Sequence, residues 1–451
     1  MRTKQKLFLL LLLFTSALTF TFYSCSSPTN PDLLPSVSLT VDGVTSTEAF
    51  IKLSTNNVSL PASVALSRNN KQINNFTLIT ADTTIVDENL NPNQSYTYSA
   101  ELTGTNNQRA VSGSVQIQTL DTTSHNFTWQ TFTFGGQGGS STLYDVAIIN
   151  ENDIWAVGEM YVYDSTGSPV LYNAIHWDGS KWELKRIKTE FRGKIITIEL
   201  EGVFAFSPTD IWMVGSLPIH GDGQNWTMFD VRTTTDPNLS LSKAWGANTN
   251  DMYFVGRGGS IAHYNGSGWQ KINSGTDVKL LDVWGTGKNV WISGWEDFKP
   301  TVLLKYNNNL LTTVINNPNS NLFSNNPDAV SGAIESIWAN NDSKLFLLTW
   351  YGLYRIGNDN NGKAKNLWSG DPNNWGLTKV RANNTNDIVA VGIKGRIWHY
   401  NGVSWKLYTE LINNRDNLRS VAIRNNLIVA VGNRYNNGIE NYGLIYVGIR
   451  N

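Results

Sequence analysis

The 451-residue chain has a single cysteine, Cys25, and only five histidines. One cysteine cannot form an intramolecular disulfide, and it excludes a zinc site built from several thiolates. The formal net charge is −1 and only 16% of residues are charged, so the chain lacks the basic surface that a general nucleic-acid-binding protein needs. Trp, Tyr and Phe each number 17 and Gly 38. Many aromatic residues and turn formers favour short strands over long solvated helices.

The start of the chain has the pattern of an export signal. Arg2, Lys4 and Lys6 precede an apolar stretch over residues 7–22, which is short for a membrane span and is followed closely by Cys25. The interpretation as an export signal depends on three parts: the charged start, the short apolar stretch and the cysteine after it.

Residues 1–25 resemble a bacterial lipoprotein signal, although Phe22 and Tyr23 depart from its usual residues. The resemblance implies that Cys25 carries lipid and holds the protein on a membrane of the bacterial cell envelope, with the outer membrane favoured. An ordinary secretory signal with an incidental cysteine is the alternative. Residues 26–36 contain three prolines and are predicted to form a flexible tether.

Residues 37–121 alternate apolar and polar side chains as strands do. Residues 90–98 read Leu-Asn-Pro-Asn-Gln-Ser-Tyr-Thr-Tyr and resemble the tyrosine corner of a fibronectin type III domain, in which the hydroxyl of Tyr96 bonds back to nearby backbone. The usual core Trp of the second strand is missing, and Phe50 or Ile51 is expected to fill that space. Another immunoglobulin-like sandwich is the alternative. Such a module spaces or binds, and nothing in it indicates chemistry.

A unit recurs seven times in the rest of the chain. Its first half reads Leu-x-x-Val, a polar turn and an apolar run ending in Gly, with Ile or Ala as variants and Thr in place of Gly in the fifth copy. The copies are 143–158, 200–215, 241–256, 280–294, 334–349, 377–392 and 418–432. The second half reads His-aromatic-Asn/Asp-Gly-x-x-Trp in its clearest copies, and Asn-Gly or Asp-Gly between strands predicts a tight hairpin. Each unit therefore makes four short strands, a to d, as a propeller blade does.

The seventh copy lacks a strand d, and residues 126–132 resemble one that stands alone before the first copy. The sequence therefore predicts an all-β chain in which residues 126–451 form a seven-bladed β-propeller closed by its N-terminal strand. It resembles bacterial secreted and surface β-propeller proteins. The repeat lacks the kelch, Trp-Asp and Asp-box signatures, so no active site is carried over from those families.

The residues that most often do chemistry occupy repeated positions here. Four histidines, His176, His220, His263 and His399, share one place in the unit, which indicates architecture rather than catalysis; His125 lies in the linker. Asp153, Asp210, Asp251 and Asp387 each precede strand b and are assigned to turn structure. Residues 358–362 look superficially like a calcium loop but lack its later Glu. The sequence therefore predicts no catalytic residue, metal or cofactor.

The copies differ mainly in their b–c and d–a connections, which emerge on one face of a four-stranded antiparallel blade. A rigid scaffold with variable loops is the usual layout of a binding surface. Aromatic side chains with a few polar partners suit sugar rings or peptide side chains. The predicted ligand-binding residues on this face are Trp295, Glu296, Trp350, Tyr351, Arg257, Arg434 and Tyr435.

The favoured hypothesis is a monomeric, non-catalytic envelope lipoprotein whose propeller face binds a protein or a glycan, with the sandwich as a spacer. One alternative is a hydrolase or lyase acting on polysaccharide or glycoconjugate, in which Glu296, Asp297 and Glu159 are the carboxylates to watch. A structural subunit of an envelope complex is the other alternative.

Overall fold

A computed structural model describes residues 34–105, 107–318, 329–341, 344–357, 364–369, 376–436 and 440–451. Apart from two short 3-10 helices, Val231–Thr233 and Thr409–Leu411, the regular structure in these residues is antiparallel strand. The prediction of an all-β chain is confirmed. No helix in the described ranges has the length and apolar character needed to cross a membrane.

Three predictions fall on other parts of the chain. The signal segment 1–25 with Cys25, residues 26–33 of the tether, and the Asn-rich stretch 358–362 lie outside the described residues. They stay predictions.

Two sheets that share one hydrophobic core form an N-terminal sandwich. Its strands are β1 (Ser36–Val44), β2 (Ala49–Asn56), β3 (Ala62–Arg68), β4 (Lys71–Leu78), β5 (Asp82–Asp87), β6 (Ser95–Gly104), β7 (Arg109–Val111) and β8 (Val115–Gln118). One sheet has the order β1-β2-β5, and the other β4-β3-β6-β7 with β8 also paired to β6. Leu53 of the first sheet packs with Val64 and Leu102 of the second, all three fully or almost fully buried.

The corner predicted at residues 90–98 is present as a contact. The backbone N–H of Asn91 donates to the hydroxyl of Tyr96 over 3.0 Å. Ile51 packs with Tyr96 in the core, as expected of one of the two candidates for the missing Trp. Phe50 does not, because its ring faces out of the sandwich, 3.8 Å from Nζ of Lys344 in the repeats.

The seven sequence copies coincide with seven four-stranded sheets in the described residues, together called the repeat domain. Sheet 1 contains β10 (Thr142–Asn150), β11 (Asp153–Tyr163), β12 (Pro169–Trp177) and β13 (Trp182–Lys185), and a hairpin follows it, β14 (Thr189–Phe191) and β15 (Lys194–Ile196). Sheet 2 contains β16 (Gly202–Ser207), β17 (Asp210–Gly215), β18 (Leu217–Gly221) and β19 (Trp226–Met228). Sheet 3 contains β20 (Ser240–Asn248), β21 (Asp251–Arg257), β22 (Ile261–Tyr264) and β23 (Trp269–Lys271).

The later copies repeat this pattern. Sheet 4 contains β24 (Leu280–Thr286), β25 (Asn289–Gly294), β26 (Thr301–Asn307) and β27 (Leu310–Asn317). Sheet 5 contains β28 (Ile334–Asn341), β29 (Lys344–Thr349), β30 (Gly352–Gly357) and β31 (Ala364–Ser369). Sheet 6 contains β32 (Leu377–Asn384), β33 (Asp387–Gly392), β34 (Ile397–Tyr400) and β35 (Trp405–Leu407). Sheet 7 contains β36 (Asp416–Arg424), β37 (Leu427–Arg434), β38 (Tyr442–Arg450) and β9 (Phe127–Phe134).

Sheet 7 joins the two ends of the repeat domain. Its strand d is β9, which pairs with β38 over eight residue pairs, so the prediction that an N-terminal strand completes the last copy is confirmed. Strand a of each sheet contacts strand a of the next, and strand a of sheet 7 contacts that of sheet 1. The seven first strands therefore surround a common axis. We call the side with the b–c and d–a connections the loop face, and the side with the a–b and c–d turns the turn face.

A bulge in strand a decides which side chains point to this axis. In six of the seven sheets the pairing of strand a with strand b shifts at the second residue of the Leu-x-x-Val motif. A bulge inserts one extra residue and re-aims the side chains beside it. In sheet 1, Leu143 and Val146 at motif positions one and four are buried in hydrophobic core. The third position, Asp145, is also buried, and it makes polar contacts across the axis.

The glycine that ends strand b is required by a close approach to strand a. A Cβ on Gly158 would lie 2.1 Å from the carbonyl oxygen of Thr142, and one on Gly256 would lie 2.1 Å from that of Ser240. These distances are far below any van der Waals contact. The recurring glycine in the sequence therefore reports strand packing rather than a turn.

The repeated histidines are architectural, as predicted. In sheets 1, 2, 3 and 6 the strand c histidine bonds to the aspartate that begins strand b of the same sheet: His176 to Asp153 (2.9 Å), His220 to Asp210 (2.8 Å), His263 to Asp251 (2.7 Å) and His399 to Asp387 (2.8 Å). The assignment of these aspartates to turn structure was therefore wrong. Their side chains hold the neighbouring strand c, because each carboxylate lies within hydrogen-bond distance of a histidine ring nitrogen on that strand.

The sandwich packs against the turn face at sheets 5 and 6. Glu48 of the sandwich is bound by Arg355 of β30 at 2.5 Å and by Lys365 of β31 at 2.8 Å. Glu48 and Arg355 are only 8% and 2% exposed. Burial alone would raise the pKa of Glu48, but the two cations overcome it and leave the pKa lowered. In the turns of sheet 6, Asn386 donates to the carbonyl oxygen of Asp121 over 2.8 Å.

Glu48→Gln tests this interface. The substitution keeps the shape of the side chain but removes the carboxylate of the buried pair with Arg355, and removing one partner of such a pair costs about 3 to 5 kcal/mol. We expect the sandwich to unfold in a separate, earlier transition by differential scanning calorimetry. Glu88→Gln is the matched control, since Glu88 also binds Lys365 but is half exposed. Equal effects of the two substitutions would contradict the interface.

Candidate functional site

The third motif positions of strand a place charged side chains on the axis. Asp145 of sheet 1 accepts a hydrogen bond from Ser420 of sheet 7 over 2.6 Å and lies 3.0 Å from Nζ of Lys243 of sheet 3. The backbone N–H of Val203 in sheet 2 also points at its carboxylate, at 3.4 Å. One aspartate thus touches the first strands of three other sheets.

Asp282 does the same on the other side of the axis. Its carboxylate accepts from Ser336 of sheet 5 over 2.6 Å, from Lys379 of sheet 6 over 2.7 Å, and from both terminal nitrogens of Arg381 over 2.9 and 3.0 Å. The backbone N–H of Ile337 adds a bond of 3.0 Å. We call Asp145, Lys243, Asp282, Lys379 and Arg381 the axial ion network.

The network keeps its two aspartates ionised although they are buried, because neighbouring cations lower the pKa of both Asp145 and Asp282. Burial would raise the pKa of Asp282, but Arg381 and Lys379 hold it well below its usual range. Burial and the nearby Arg381 lower the pKa of Lys379 to about 8. Below the network, towards the turn face, a cavity of about 280 Å³ follows the axis and is lined by Phe204, Trp284 and the alanines of several first strands. The network therefore separates that cavity from the loop face.

Above the network, two predicted residues meet at a carboxylate that the sequence did not single out. Trp295 follows β25 and Trp350 follows β29, at the same point of two successive copies. Both indole N–H groups donate to the same oxygen, Oε1 of Glu335, the Trp295 bond being 2.7 Å long. The two rings meet edge to face, with centroids 5.1 Å apart and an interplanar angle of 87°. We call Glu335, Trp295 and Trp350 the indole clamp.

Glu335 occupies the second motif position of sheet 5, one residue above the network. Burial raises its pKa to about 7, against the opposing effect of the two indole donors and the more distant charges of Lys279 and Lys379. A carboxyl group with this pKa changes charge near neutral pH. The charge of the clamp therefore depends on pH near neutrality.

The opposite side of the axis carries more charge. Arg257, a predicted binding residue at the end of β21, pairs with Glu201 at 3.2 Å. Tyr144 donates to Glu159 over 2.9 Å. Burial and the carboxylates of Glu159 and Glu201 raise the pKa of Glu199. These groups lie at motif position two or in the adjacent connections.

A pocket of about 310 Å³ opens beside these charges. It is lined by Phe191, Ile196, Ile198, Glu199, Glu201, Gly215, Ser216, Leu217, Met228, Arg232 and Arg257. The b–c connection of sheet 2 consists of Ser216 alone, between β17 and β18. Because this connection is so short, the hairpin β14–β15 on one side and the segment after β19 on the other stand above it and form the walls.

The other predicted residues do not join the clamp. Glu296 is exposed and pairs with Lys299 at 3.0 Å, and Asp297 is exposed beside it. Tyr351 is half-buried next to Trp350. Two further residues lie at sheet 7. The guanidinium of Arg434 is held by Asp416 through bonds of 2.7 and 2.8 Å, and Tyr435 is 47% exposed.

The loop face thus gathers Trp295, Trp350 and Arg257 at the axis and leaves the rest around it. Sequence reasoning missed Glu335, Glu201 and the axial network. A signal for them exists, because motif positions two and three vary between copies while positions one and four stay apolar. Within the described ranges no group of three or more His, Cys, Asp or Glu side chains could hold a metal ion.

A larger cavity, about 450 Å³, lies on the turn face between sheets 7 and 1. Its walls are mostly apolar and include Phe132, Trp177, Trp182 and Leu427. None of the predicted binding residues lines it. We therefore place the candidate site on the loop face, where the predicted residues and the perturbed carboxyl groups coincide.

Comparisons with known proteins relate the fold to solved structures alone. No family model matches the chain, and no curated protein matches it. A structure titled "YCF48 bound to D1 peptide" is 15% identical, and the match covers 73% of this chain and 99% of that chain with a TM-score of 0.52. This likeness and the cyclic contacts of the four-stranded sheets define the repeat domain as a β-propeller.

Two weaker likenesses do not enter that assignment. The computationally designed protein Ika8 is 10% identical, with coverages of 70% and 98% and a TM-score of 0.43. The extracellular domain of the one-component system BT4673 from B. thetaiotaomicron is 13% identical, with coverages of 69% and 53% and a TM-score of 0.37.

Asp282→Asn tests the axial ion network. The amide cannot neutralise Lys379 and Arg381, and leaving buried charges unpaired costs about 3 to 5 kcal/mol. We expect a loss of this size in the free energy of unfolding, measured by urea denaturation followed by tryptophan fluorescence. Asp277→Asn is the control, because Asp277 is 82% exposed and pairs only with a surface lysine. A loss no larger than that of the control would contradict a structural role for the network.

The raised pKa of Glu335 predicts the direction in which the stability of the protein changes with pH. The folded protein binds this proton more tightly than the unfolded chain does, so the contribution of Glu335 to stability falls as pH rises from about 4.5 to about 7. From pH 5 to pH 8 we expect the wild type to lose about 2 to 3 kcal/mol relative to Glu335→Gln. Urea denaturation of both proteins at the two pH values measures the difference. Parallel pH profiles would show that Glu335 is not perturbed.

Proposed function

We propose that the protein is a non-catalytic cell-envelope lipoprotein whose loop face binds a segment of another protein across the mouth of the axis. The observation that carries this proposal is the indole clamp with charged pairs beside it. Trp295 and Trp350 offer apolar ring surface, while Glu201, Arg257 and Glu199 offer both signs of charge. Rigid aromatic anchors ringed by polar groups are the usual form of a protein-recognition site.

A peptide suits this face better than a glycan does. Sugar rings bind to the open faces of aromatic rings, whereas the two indoles here stand edge to face with their N–H groups already used by Glu335. A peptide brings both charged side chains and main-chain amides to the mixed charges nearby. One solved structure with a similar fold is titled as a complex of YCF48 with a D1 peptide. That title supports a peptide-binding role for a propeller of this kind.

The architecture that we propose is a seven-bladed propeller, with the fibronectin type III-like sandwich as a spacer. Seven four-stranded sheets around one axis support the blade number. The sandwich contacts the turn face, and Cys25 lies only nine residues before Leu34, where the described chain begins. A lipid on Cys25 in the outer membrane would therefore place the loop face on the side away from the anchor. We propose that the protein acts there as a monomer.

Hydrolysis is the second candidate, and one observation favours it. Glu199 has a raised pKa beside the carboxylate of Glu159 and lines the 310 Å³ pocket, and pairs of carboxyl groups with separated pKa values are typical of glycoside hydrolases. The other two carboxylates of the hydrolase hypothesis, Glu296 and Asp297, are exposed. They do not complete such a pair with Glu159 in the described structure.

Selection of ligands on the purified protein tests the proposal. A displayed library of random peptides and a glycan array are screened in parallel, and an enriched peptide is measured by isothermal titration calorimetry. We expect a peptide to be retained intact, and Trp350→Ala to weaken it by about tenfold or more, equivalent to about 1.4 kcal/mol.

Trp177→Ala is the matched control, because Trp177 lies on the turn face and should leave the affinity unchanged. Retention of glycans alone, or equal losses in the two variants, would contradict the proposal. Cleavage of a bound glycan that is abolished by Glu199→Gln would replace it with hydrolysis.

A further inference from the structure

One carboxylate oxygen fixes two loops. Oε1 of Glu335 accepts from Trp295 of the sheet 4 connection and from Trp350 of the sheet 5 connection. An indole N–H only donates, so each ring needs an acceptor if its N–H is removed from water. Glu335 stands at the start of β28, on the rigid part of the fold. Because both indoles bond to Glu335, strand a of sheet 5 fixes where the two connections lie.

The strength of these bonds depends on the charge of Glu335. Hydrogen bonds to an ionised acceptor are roughly twice as strong as those between neutral groups. Protonation also converts one of the two carboxyl oxygens into a hydroxyl group, which leaves the carboxyl group less capacity to accept from the two indole donors. Both effects loosen the rings without removing any residue.

The other charged groups around Glu335 come from each neighbouring element. Lys279 precedes β24, and Lys379 lies on β32; both favour the ionised carboxylate. One residue further along the axis, Asp282 on β24 and Arg381 on β32 bind each other. Asp282 stays ionised near neutral pH, because Arg381 and Lys379 hold its pKa well below its usual range. The pKa of Lys379 is lowered to about 8, so the charge of Lys379 changes at a higher pH than that of Glu335. Glu335 is thus the group at the clamp whose charge changes there.

We propose that Glu335 is a positioning residue for ligand recognition, whose carboxylate holds Trp295 and Trp350 in place and whose protonation releases them. The inference rests on the proposed peptide-binding function only for its consequence in affinity. Its structural part concerns the two indoles alone and is measured without any ligand.

Glu201 provides a matched comparison within the chain. It occupies the same motif position in sheet 2 that Glu335 occupies in sheet 5. Its carboxylate binds Arg257 rather than an indole. A substitution at Glu201 therefore removes a carboxylate from the mouth of the axis and leaves the clamp untouched.

The test is a pH titration by fluorine NMR of the full-length protein labelled with 5-fluorotryptophan. Trp295→Phe and Trp350→Phe assign the two resonances. We expect both to shift between pH 5 and pH 9 with a midpoint near the pKa of Glu335, about 7. The shift should vanish in Glu335→Gln and persist in Glu201→Gln. Glu335→Asp keeps a titrating carboxyl group on a shorter side chain and should keep a shift with a moved midpoint.

The proposal would be overturned if the two resonances did not shift with pH in the wild type, or if they titrated in Glu335→Gln as they do in the wild type. Circular dichroism checks that each variant is folded. If Glu335→Gln does not fold, Glu335→Asp is measured instead. The proposal would be overturned if the midpoint of the titration in Glu335→Asp equalled that of the wild type, or if only one of the two resonances lost its titration.

The consequence for recognition is measured with the peptide selected on the wild-type protein. At pH 6 about one Glu335 side chain in ten is ionised. The apparent affinity of the protein for this peptide should therefore be about tenfold lower at pH 6 than at pH 8. Glu335→Gln should show no such dependence. A flat wild-type profile would overturn the role in recognition while leaving peptide binding intact. Absence of any peptide that binds would remove the proposed function, and the fluorine titration would still decide the role of Glu335.

Discussion

Two buried aspartates hold the axis of the propeller together. Through Asp145 and Asp282, polar contacts join the first strands of all seven sheets in the described structure. Buried ion pairs of this kind add little net stability, because desolvation offsets most of their attraction, but they penalise any arrangement that leaves a charge alone. The network therefore specifies how the sheets meet. It also fills the axis, so that a ligand on the loop face meets the mouth of the axis rather than an open channel.

The bulge in strand a determines which side chains belong to the axial ion network and which lie on the loop face above it. It sends motif position three into the network and leaves position two, one residue higher, at the mouth of the axis. Glu335 occupies that level in sheet 5, and the connections after strand b bring Trp295 and Trp350 to it. Glu201 occupies the same motif position in sheet 2, where the pairing of strands a and b has no shift at this point, and it binds Arg257. The chemistry of the loop face thus follows from a local backbone irregularity that recurs with the repeat.

Much of the fold could be predicted from the sequence because its information is local and repeated. The copies, their hairpin turns, the histidine positions and the role of residues 126–132 follow from spacing. The candidate site could be predicted only in part. Trp295 and Trp350 were identified because they follow recurring strand ends, but their partner Glu335 could not be, since the contact joins residues 40 and 15 positions apart through a bulge that no spacing reveals.

The same limit explains why the sequence could not choose between Phe50 and Ile51, and why the aspartates were assigned to turn structure. Phe50 and Ile51 are adjacent apolar residues on one strand, and alternation places them on opposite faces without telling which face meets the core. The contacts with Lys344 and Arg355 show that Phe50 belongs to the interface. Asp153 and its counterparts sit beside turns, where aspartate usually bonds its own backbone. Each binds a histidine on the neighbouring strand c instead, because the sheet register brings the two side chains together.

Hydrogen–deuterium exchange of the protein with and without a bound peptide tests most directly whether the loop face at the axis is the recognition surface. If the loop face binds the peptide, exchange on binding becomes slower in the first residues of β28 and in the connections after β25, β29 and β21, at residues 295–300, 350–351 and 258–260. We expect no change in the turns of the opposite face, at residues 150–153, 178–181 and 425–426. Protection confined to that opposite face would contradict the account.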